Sequence, residues 1–223
     1  MRMRSWAAVA VPVVLAAAVA PTARADESAL AQAKQQTFVV QVCTDEHHAA
    51  AIGSGVVVRR DGDTLTLVTA AHVVLQKGTL RILDTSRQSL YDVIDEQLLS
   101  DYDLALIRVR AQRAFPVVPV PFAQAAPGEP VFIWGHTGEG FWELASGSVR
   151  ETNARIPGVS GSPRMTIECA SCSHGDSGSG VFDAQGHLLG ILTRAWSKSS
   201  GGPVLFIEVE PAALITQEVL ANR

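Results

Sequence analysis

The sequence predicts an all-β chain of sandwich or barrel architecture in two halves. Short β-type runs recur at fairly even spacing, turn residues separate many of them, and no long helix interrupts them. A composition break from Ala111 to Pro130 then divides the runs into two sets of similar size. The expected organisation is an N-terminal part over 26–113, a linker over 114–127 and a C-terminal part over 128–223.

The first residues are expected to be removed. Arg2 and Arg4 precede an apolar run from Trp6 to Ala20, which leads into Ala23-Arg24-Ala25. A basic start, a short apolar core and an Ala-x-Ala end read as a secretory signal over 1–25, cleaved after Ala25. The run is short for a membrane span of roughly 20 residues, and Pro12 interrupts it. An exported chain, periplasmic or extracellular, with no stable membrane insertion after cleavage is therefore expected.

From Asp26 to Gln36 the chain is rich in Ala and Gln and reads as a short helix. The β-type runs follow: Thr37–Cys43, Gly55–Arg59, Thr64–Thr69, Thr79–Leu83, Leu104–Val109, Val131–Trp134, Gly147–Glu151, Met165–Glu168, Gly180–Phe182, Leu188–Thr193 and Val204–Val209. Asp61-Gly62-Asp63, Lys77-Gly78, Pro127-Gly128, Gln185-Gly186 and Gly201-Gly202-Pro203 supply turns between them. Pro116, Pro119, Pro121, Pro127 and Pro130 mark the break as a crossing, since proline removes ladder donors. Pro211 opens a last segment with Leu214, Ile215, Val219 and Leu220 at helical spacing, which reads as a C-terminal helix to Asn222.

The net charge of −4 becomes more negative once the arginines of the leader are removed. A mildly acidic exported protein is poorly suited to nucleic acid or anionic lipid, so neither is expected as a partner. Cys169 and Cys172 form a C-x-x-C pair, and Cys43 lies far away. Export allows a disulfide, but three cysteines leave its pairing open. One disulfide plus one buried thiol is the plain reading. A mixed metal site from Cys43, His47, His48, Cys169 and Cys172 is a weaker one, and no βαβ pattern surrounds the C-x-x-C pair to support redox chemistry. No metal or cofactor is expected.

The segment Ser173-His174-Gly175-Asp176-Ser177-Gly178-Ser179-Gly180 places a serine in a glycine-lined turn. Such a turn can aim two backbone N–H groups, those of Gly175 and Ser177, at one point beside the hydroxyl, where an oxyanion would form. The serine also needs a base. Thr69-Ala70-Ala71-His72 puts a histidine at the end of an apolar strand. Asp101-Tyr102-Asp103-Leu104 puts a carboxylate just before another, half buried and in need of a partner. Each alone reads as an ordinary loop-edge residue. Together they supply a nucleophile, a base and an orienting acid, with the site between the two halves.

On these residues the chain resembles the trypsin-like (chymotrypsin-fold) serine peptidases, closest in pattern to the bacterial HtrA/Deg protease domain without a PDZ domain, and similar also to the glutamyl endopeptidase-like group. The resemblance runs through Gly53-Ser54-Gly55, Thr69 to His72, Asp103-Leu104-Ala105, Gly128 to Val131 with Gly135, Gly147-Ser148-Val149, Gly175 to Gly178 and Gly190-Ile191. It implies two six-stranded antiparallel β-barrels, with Ser177 as nucleophile, His72 as general base and acid, Asp103 orienting His72, and the N–H groups of Gly175 and Ser177 as oxyanion hole. It also implies a protein or peptide substrate. The chain ends at Arg223 after one helix, so no PDZ domain is expected.

Two departures matter. Asp176 stands where many HtrA-type sequences have asparagine, and the expected new terminus, Asp26-Glu27-Ser28, is polar. A trypsin-type zymogen switch is therefore not expected, and Asp176 should have another partner. In this fold the pocket for the residue before the cut would be lined by Ser171 and His174, with Thr193, Arg194 and Ala195 on the far wall. No acid lies at its base, so preference for Lys or Arg is not expected. An uncharged pocket favours small or aliphatic side chains, whereas Arg194 or His174 would favour acidic ones. A peptide-binding protein with a silent triad is the alternative from another class.

Overall fold

The computed structural model of the chain describes residues 26–45, 48–85, 91–99, 102–111, 118–136, 142–155, 163–169, 171–172, 176–197 and 205–221. The expected signal segment lies outside the described residues.

The chain order is α1 (Glu27–Gln36), β1 (Thr37–Cys43), β2 (Ala49–Asp61), β3 (Thr64–Ala70), α2 (Ala71–Val74), β4 (Thr79–Leu83), β5 (Tyr91–Leu99) and β6 (Leu104–Ala111) in the first half. β7 (Pro130–His136), β8 (Trp142–Ala154), β9 (Arg164–Cys169), β10 (Gly180–Phe182), β11 (Leu188–Ser197), β12 (Leu205–Pro211) and α3 (Ala212–Ala221) follow in the second. Both sheets have six strands. The first runs β4-β1-β2-β3-β6-β5, and the second closes into a barrel in the order β10-β11-β12-β9-β8-β7. All the ladders are antiparallel. The all-β expectation holds, with one refinement. Among the described residues the first sheet is a half-barrel, with β4 and β5 at its ends.

β5 was not expected. Its sequence, Tyr-Asp-Val-Ile-Asp-Glu-Gln-Leu-Leu, is acidic in the middle and lacks an apolar run. It is a strand because Tyr91 and Leu99 bury its two ends and its backbone pairs with β6. Charged side chains and a register shift between Val93 and Asp95 suit a strand at a sheet end, where they discourage edge-to-edge pairing. β2 is longer than the expected Gly55–Arg59, since the residues before it, from Ala49 to Ser54, also pair with β1.

Each sheet has its own inner core: Phe38, Leu67, Ile82 and Ile107 in the first, Ile133, Met165, Ile167 and Leu189 in the second. A third cluster lies along the seam between them. Val56, Val68, Leu104 and Leu106 of the first sheet meet Phe132, Trp134, Phe182 and Ile191 of the second. Both terminal helices join it, through Ala29 and Ala33 of α1 and Ile215 of α3. Lys34 of α1 also stands over the Trp134 ring at 4.9 Å. The proline-rich crossing pins the two sheets together. Val120 N–H donates to Val57 O at 3.0 Å, and Leu188 N–H donates to Pro121 O at 2.7 Å.

Phe182 is fully buried in the seam and stacks on Phe132 with centroids 5.2 Å apart. Phe182→Ala is expected to cost about 3–5 kcal/mol in urea unfolding, the range for an aromatic truncated in a packed core. A loss below about 1 kcal/mol would mean that the seam is not a close-packed core.

Candidate active site

β3 ends at Ala70 and the chain turns at once into α2, so His72 sits on a one-turn helix and not on the strand end as expected. Ala70 has no side chain to cap that turn. Asp103 does the capping. Its backbone carbonyl accepts from Ala71 N–H at 3.1 Å, and its Oδ1 accepts from His72 N–H at 3.0 Å. The opposite carboxylate oxygen, Oδ2, lies 2.8 Å from His72 Nδ1. One aspartate thus fixes both the backbone and the ring of the histidine.

The other ring nitrogen, Nε2, lies 2.8 Å from Ser177 Oγ. A proton on Nδ1, facing the carboxylate, leaves Nε2 as an acceptor for the serine hydroxyl. The structure thus brings His72, Asp103 and Ser177 together in one chain of short contacts across the seam. The imidazole is partly exposed, with 44% of its side chain accessible, against 16% for Asp103. Burial alone would raise the Asp103 carboxyl. The hydrogen bond and charge of His72, the His72 N–H and the charge of Arg194 outweigh that and hold it below its ordinary value.

The Ser177 turn is fixed from the first sheet. Ser54 N–H donates to Ser177 O at 2.8 Å, and Thr69 Oγ donates to Ser54 O at 2.6 Å. Ser54 Oγ accepts from His136 N–H at 2.7 Å. This close approach explains two glycines. A Cβ at Gly53 would stand 2.6 Å from Ser177 O. Gly178 has φ +84°, and a Cβ there would strike the Ser54 carbonyl oxygen. The N–H groups that follow Ser177 are used within the second barrel. Gly178 N–H donates to Leu192 O at 2.8 Å, and Ser179 N–H donates to Asp176 O at 2.9 Å.

Other expected site residues fare differently. His174 and Gly175 lie outside the described residues. Ser171 is exposed. Thr193 is buried and donates to Glu208 O at 3.3 Å, so its hydroxyl is committed to the sheet, whereas Arg194 is exposed. Ala195 continues β11. Cys169 and Cys172 form a disulfide, and Cys43 is a buried thiol. That bond removes both C-x-x-C sulfurs from the mixed metal site considered above, and the His48 ring instead pairs with Asp45 at 2.9 Å. Asp26 is the N-cap of α1, accepting from Ser28 N–H at 3.2 Å.

The sequence reading missed a buried ionic group behind the site, formed by Arg164, Glu208 and Glu210. Its signal was the alternation Glu208-Val209-Glu210 inside an apolar strand, which places both acids on one face. Burial raises the Glu210 carboxyl from 4.5 to about 7, against the pull of Arg164 and the Asp103 N–H, with the charges of Glu208 and Asp103 adding to the rise. Between those values the folded chain binds more protons than the unfolded one. The stability from this group is therefore fully present below about pH 4.5 and is lost as pH rises through about 7. Asp103 has the opposite sign, and its contribution is lost as pH falls through its lowered value.

The sequence profile of a family described as a trypsin-like peptidase domain matches residues 53–191. No curated protein matches. Among solved structures, the active form of the Rv3671c protease from M. tuberculosis superposes with a TM-score of 0.68 at 20% identity, over 96% of this chain and 93% of that one. An inactive form of the same protease gives 0.63 at 19% identity, over 88% and 93%. The HtrA-type protease AlgW, solved with a tripeptide, gives 0.67 at 18% identity over 85% of this chain, which spans 60% of AlgW.

Replacing Glu210 by Gln removes the titration described above. Thermal melts are expected to show a smaller loss of stability between pH 5 and pH 8 in Glu210→Gln than in the parent. Parallel losses in the two proteins would contradict the assignment of this titration to Glu210.

Proposed function

The chain belongs to the trypsin-like peptidase family and is a serine-type endopeptidase, and on that premise we propose that His72, Asp103 and Ser177 are its catalytic triad. The observation that carries this is the unbroken chain of contacts from Asp103 Oδ2 through the His72 ring to Ser177 Oγ, each 2.8 Å.

In this reading the Ser177 hydroxyl attacks the substrate carbonyl carbon and His72 Nε2 takes its proton. The imidazolium is stabilised by the Asp103 carboxylate, whose lowered pKa keeps it ionised. The N–H groups of Ser177 and Gly175 receive the oxyanion. Collapse transfers the proton to the leaving amine and leaves an acyl-enzyme at Ser177. Water, with His72 again as base, then releases the acid. The steps need no metal and no cofactor.

The substrate is a protein or peptide segment laid in the cleft between the two sheets. No acidic side chain is proposed at the pocket base near Ser171, so cleavage after Lys or Arg is not expected and small or aliphatic residues are favoured. Export to the periplasm or beyond is proposed from the N-terminal segment. The disulfide suits such an oxidising compartment, and no helix among the described residues is long and apolar enough to cross a membrane. N-terminal sequencing of exported chain should begin at Asp26, and a retained Met1 would overturn that part.

A fluorophosphonate probe is expected to label the parent chain on Ser177. Ser177→Ala should abolish labelling, and His72→Ala should lower both labelling and peptide hydrolysis by at least about 10³-fold. Folded parent protein that takes up no label would overturn the triad assignment and favour a peptide-binding protein with a silent site. Strong cleavage after Lys or Arg in a peptide-library profile would overturn the pocket assignment alone.

A further inference from the structure

The Cys169–Cys172 disulfide plays no part in the chemistry above, yet it closes on the segment that leads to Ser177. Cys169 ends β9, where its backbone pairs with Gly147 of β8 on one side and Leu205 of β12 on the other. Cys172 has left the sheet, and the bond to Cys169 returns it to the inner core of the second barrel. Both cysteines are buried, at 1% and 5% exposure. Further on, Asp176 is buried at 3%, and its carbonyl accepts from Ser179 N–H at 2.9 Å. Beside it, Ser177 O is held by Ser54 and Gly178 N–H by Leu192. Only Ser173, His174 and Gly175 separate Cys172 from Asp176, and these three lie outside the described residues.

We propose that the disulfide makes Cys172 a positioning residue for the peptidase reaction, the upstream anchor of the stretch that carries the oxyanion donor Gly175. The inference rests on the assignment of Ser177 as nucleophile. The hydrogen bonds of Ser177 and Gly178 to Ser54 and Leu192 are the downstream anchor. Three residues between two anchors have little slack, so a shift of Cys172 is passed on towards Gly175. Stability alone is a poor account of the bond. A disulfide that closes so short a loop gains less from restricting the unfolded chain than one that closes a long loop. Two buried thiols would also fill the same core space as small apolar side chains. What the bond adds is a fixed place for Cys172 against a strand that is itself held by ladders on both sides.

The anchor is sensitive to redox conditions. A dithiol attacks one of the two sulfurs and breaks the Cys169–Cys172 bond, and its second thiol then displaces the mixed disulfide. Two electrons and two protons reach the cysteines, which become thiols, and the reagent leaves as a cyclic disulfide. A disulfide oxidant reverses the exchange. The chain is weakly active while these cysteines are thiols and reaches full activity once they are oxidised. In an exported chain this confines proteolysis to the oxidising side of the membrane.

The test measures kcat and KM on one peptide substrate, and the fluorophosphonate labelling rate, in oxidised chain and in chain reduced with dithiothreitol. Alkylation followed by mass measurement counts the open thiols, and melting checks the fold. Reduction should lower kcat and labelling about ten- to a hundredfold, with KM within about threefold, because a displaced oxyanion donor weakens the transition state more than the bound substrate. Oxidised glutathione should restore both rates. The double variant Cys169→Ala with Cys172→Ala should keep the rate of the reduced chain and respond to neither reagent. Cys43→Ala, which removes the buried free thiol, should respond as the parent does. If the bond resists dithiothreitol, the double variant decides. Folded chain that keeps the parent kcat and labelling with the bond open would overturn the inference and leave the triad standing. Loss of the fold whenever the bond is opened would make the disulfide structural and overturn it as well. Oxidised parent that takes no label would overturn the triad assignment itself.

Discussion

The hydrogen bond from Ser54 N–H to the Ser177 carbonyl oxygen, 2.8 Å long, sets where the Ser177 turn of the second barrel meets the first sheet. Ser177 comes from one half of the chain, and His72 and Asp103 from the other. A proton can pass between His72 Nε2 and Ser177 Oγ only if the two halves hold their register to a fraction of an ångström. The bond requires close backbone approach, which is why glycine stands at positions 53 and 178. It also explains why Ser54 lies in a strand, since the β2 backbone must present its N–H outward to the turn. Thr69, just before the histidine helix, binds the Ser54 carbonyl. The Ser177 turn and the strand that leads to His72 are thus tied to the same strand by consecutive hydrogen bonds.

The surrounding structure supports that register with apolar packing and with polar contacts at its margins. The seam cluster takes side chains from both sheets and both terminal helices, and so resists sliding of one sheet over the other. The proline-rich crossing binds β2 on one side and β11 on the other. Asp103 replaces the side-chain cap that Ala70 cannot provide, so the turn that carries His72 depends on the same carboxylate that orients its ring. The Arg164–Glu208–Glu210 group lies behind that carboxylate at the meeting of the two halves. Its two acids to one base explain why burial drives Glu210 to hold a proton near neutrality.

Much of this was legible in the sequence, for identifiable reasons. Strands with an apolar face, such as Thr37–Cys43 and Leu104–Ala111, announce themselves by composition. The residues of the proposed triad could be named because each lies in a local setting that its proposed role demands. β5 could not be read. Asp92, Asp95 and Glu96 hide a strand that exists through pairing with β6 and two buried ends. His72 was expected on a strand end, because nothing local signals a helix whose cap comes from residue 103. The disulfide pairing and the neighbours of Arg164 are likewise facts of tertiary contact. Thr193, expected on a pocket wall, gives its hydroxyl to the Glu208 carbonyl at the register shift of β11 between Leu192 and Arg194, an irregularity that local sequence does not announce.

The central claim is that the resting chain holds an assembled triad across the seam. Active-site titration with a chromogenic ester tests it most directly, since an acyl-enzyme that forms faster than it breaks down releases one equivalent of leaving group in a burst. The account requires a burst that approaches one equivalent per folded chain and is lost in Ser177→Ala. Folded chain that turns over such esters without a burst dependent on Ser177, or not at all, would contradict it.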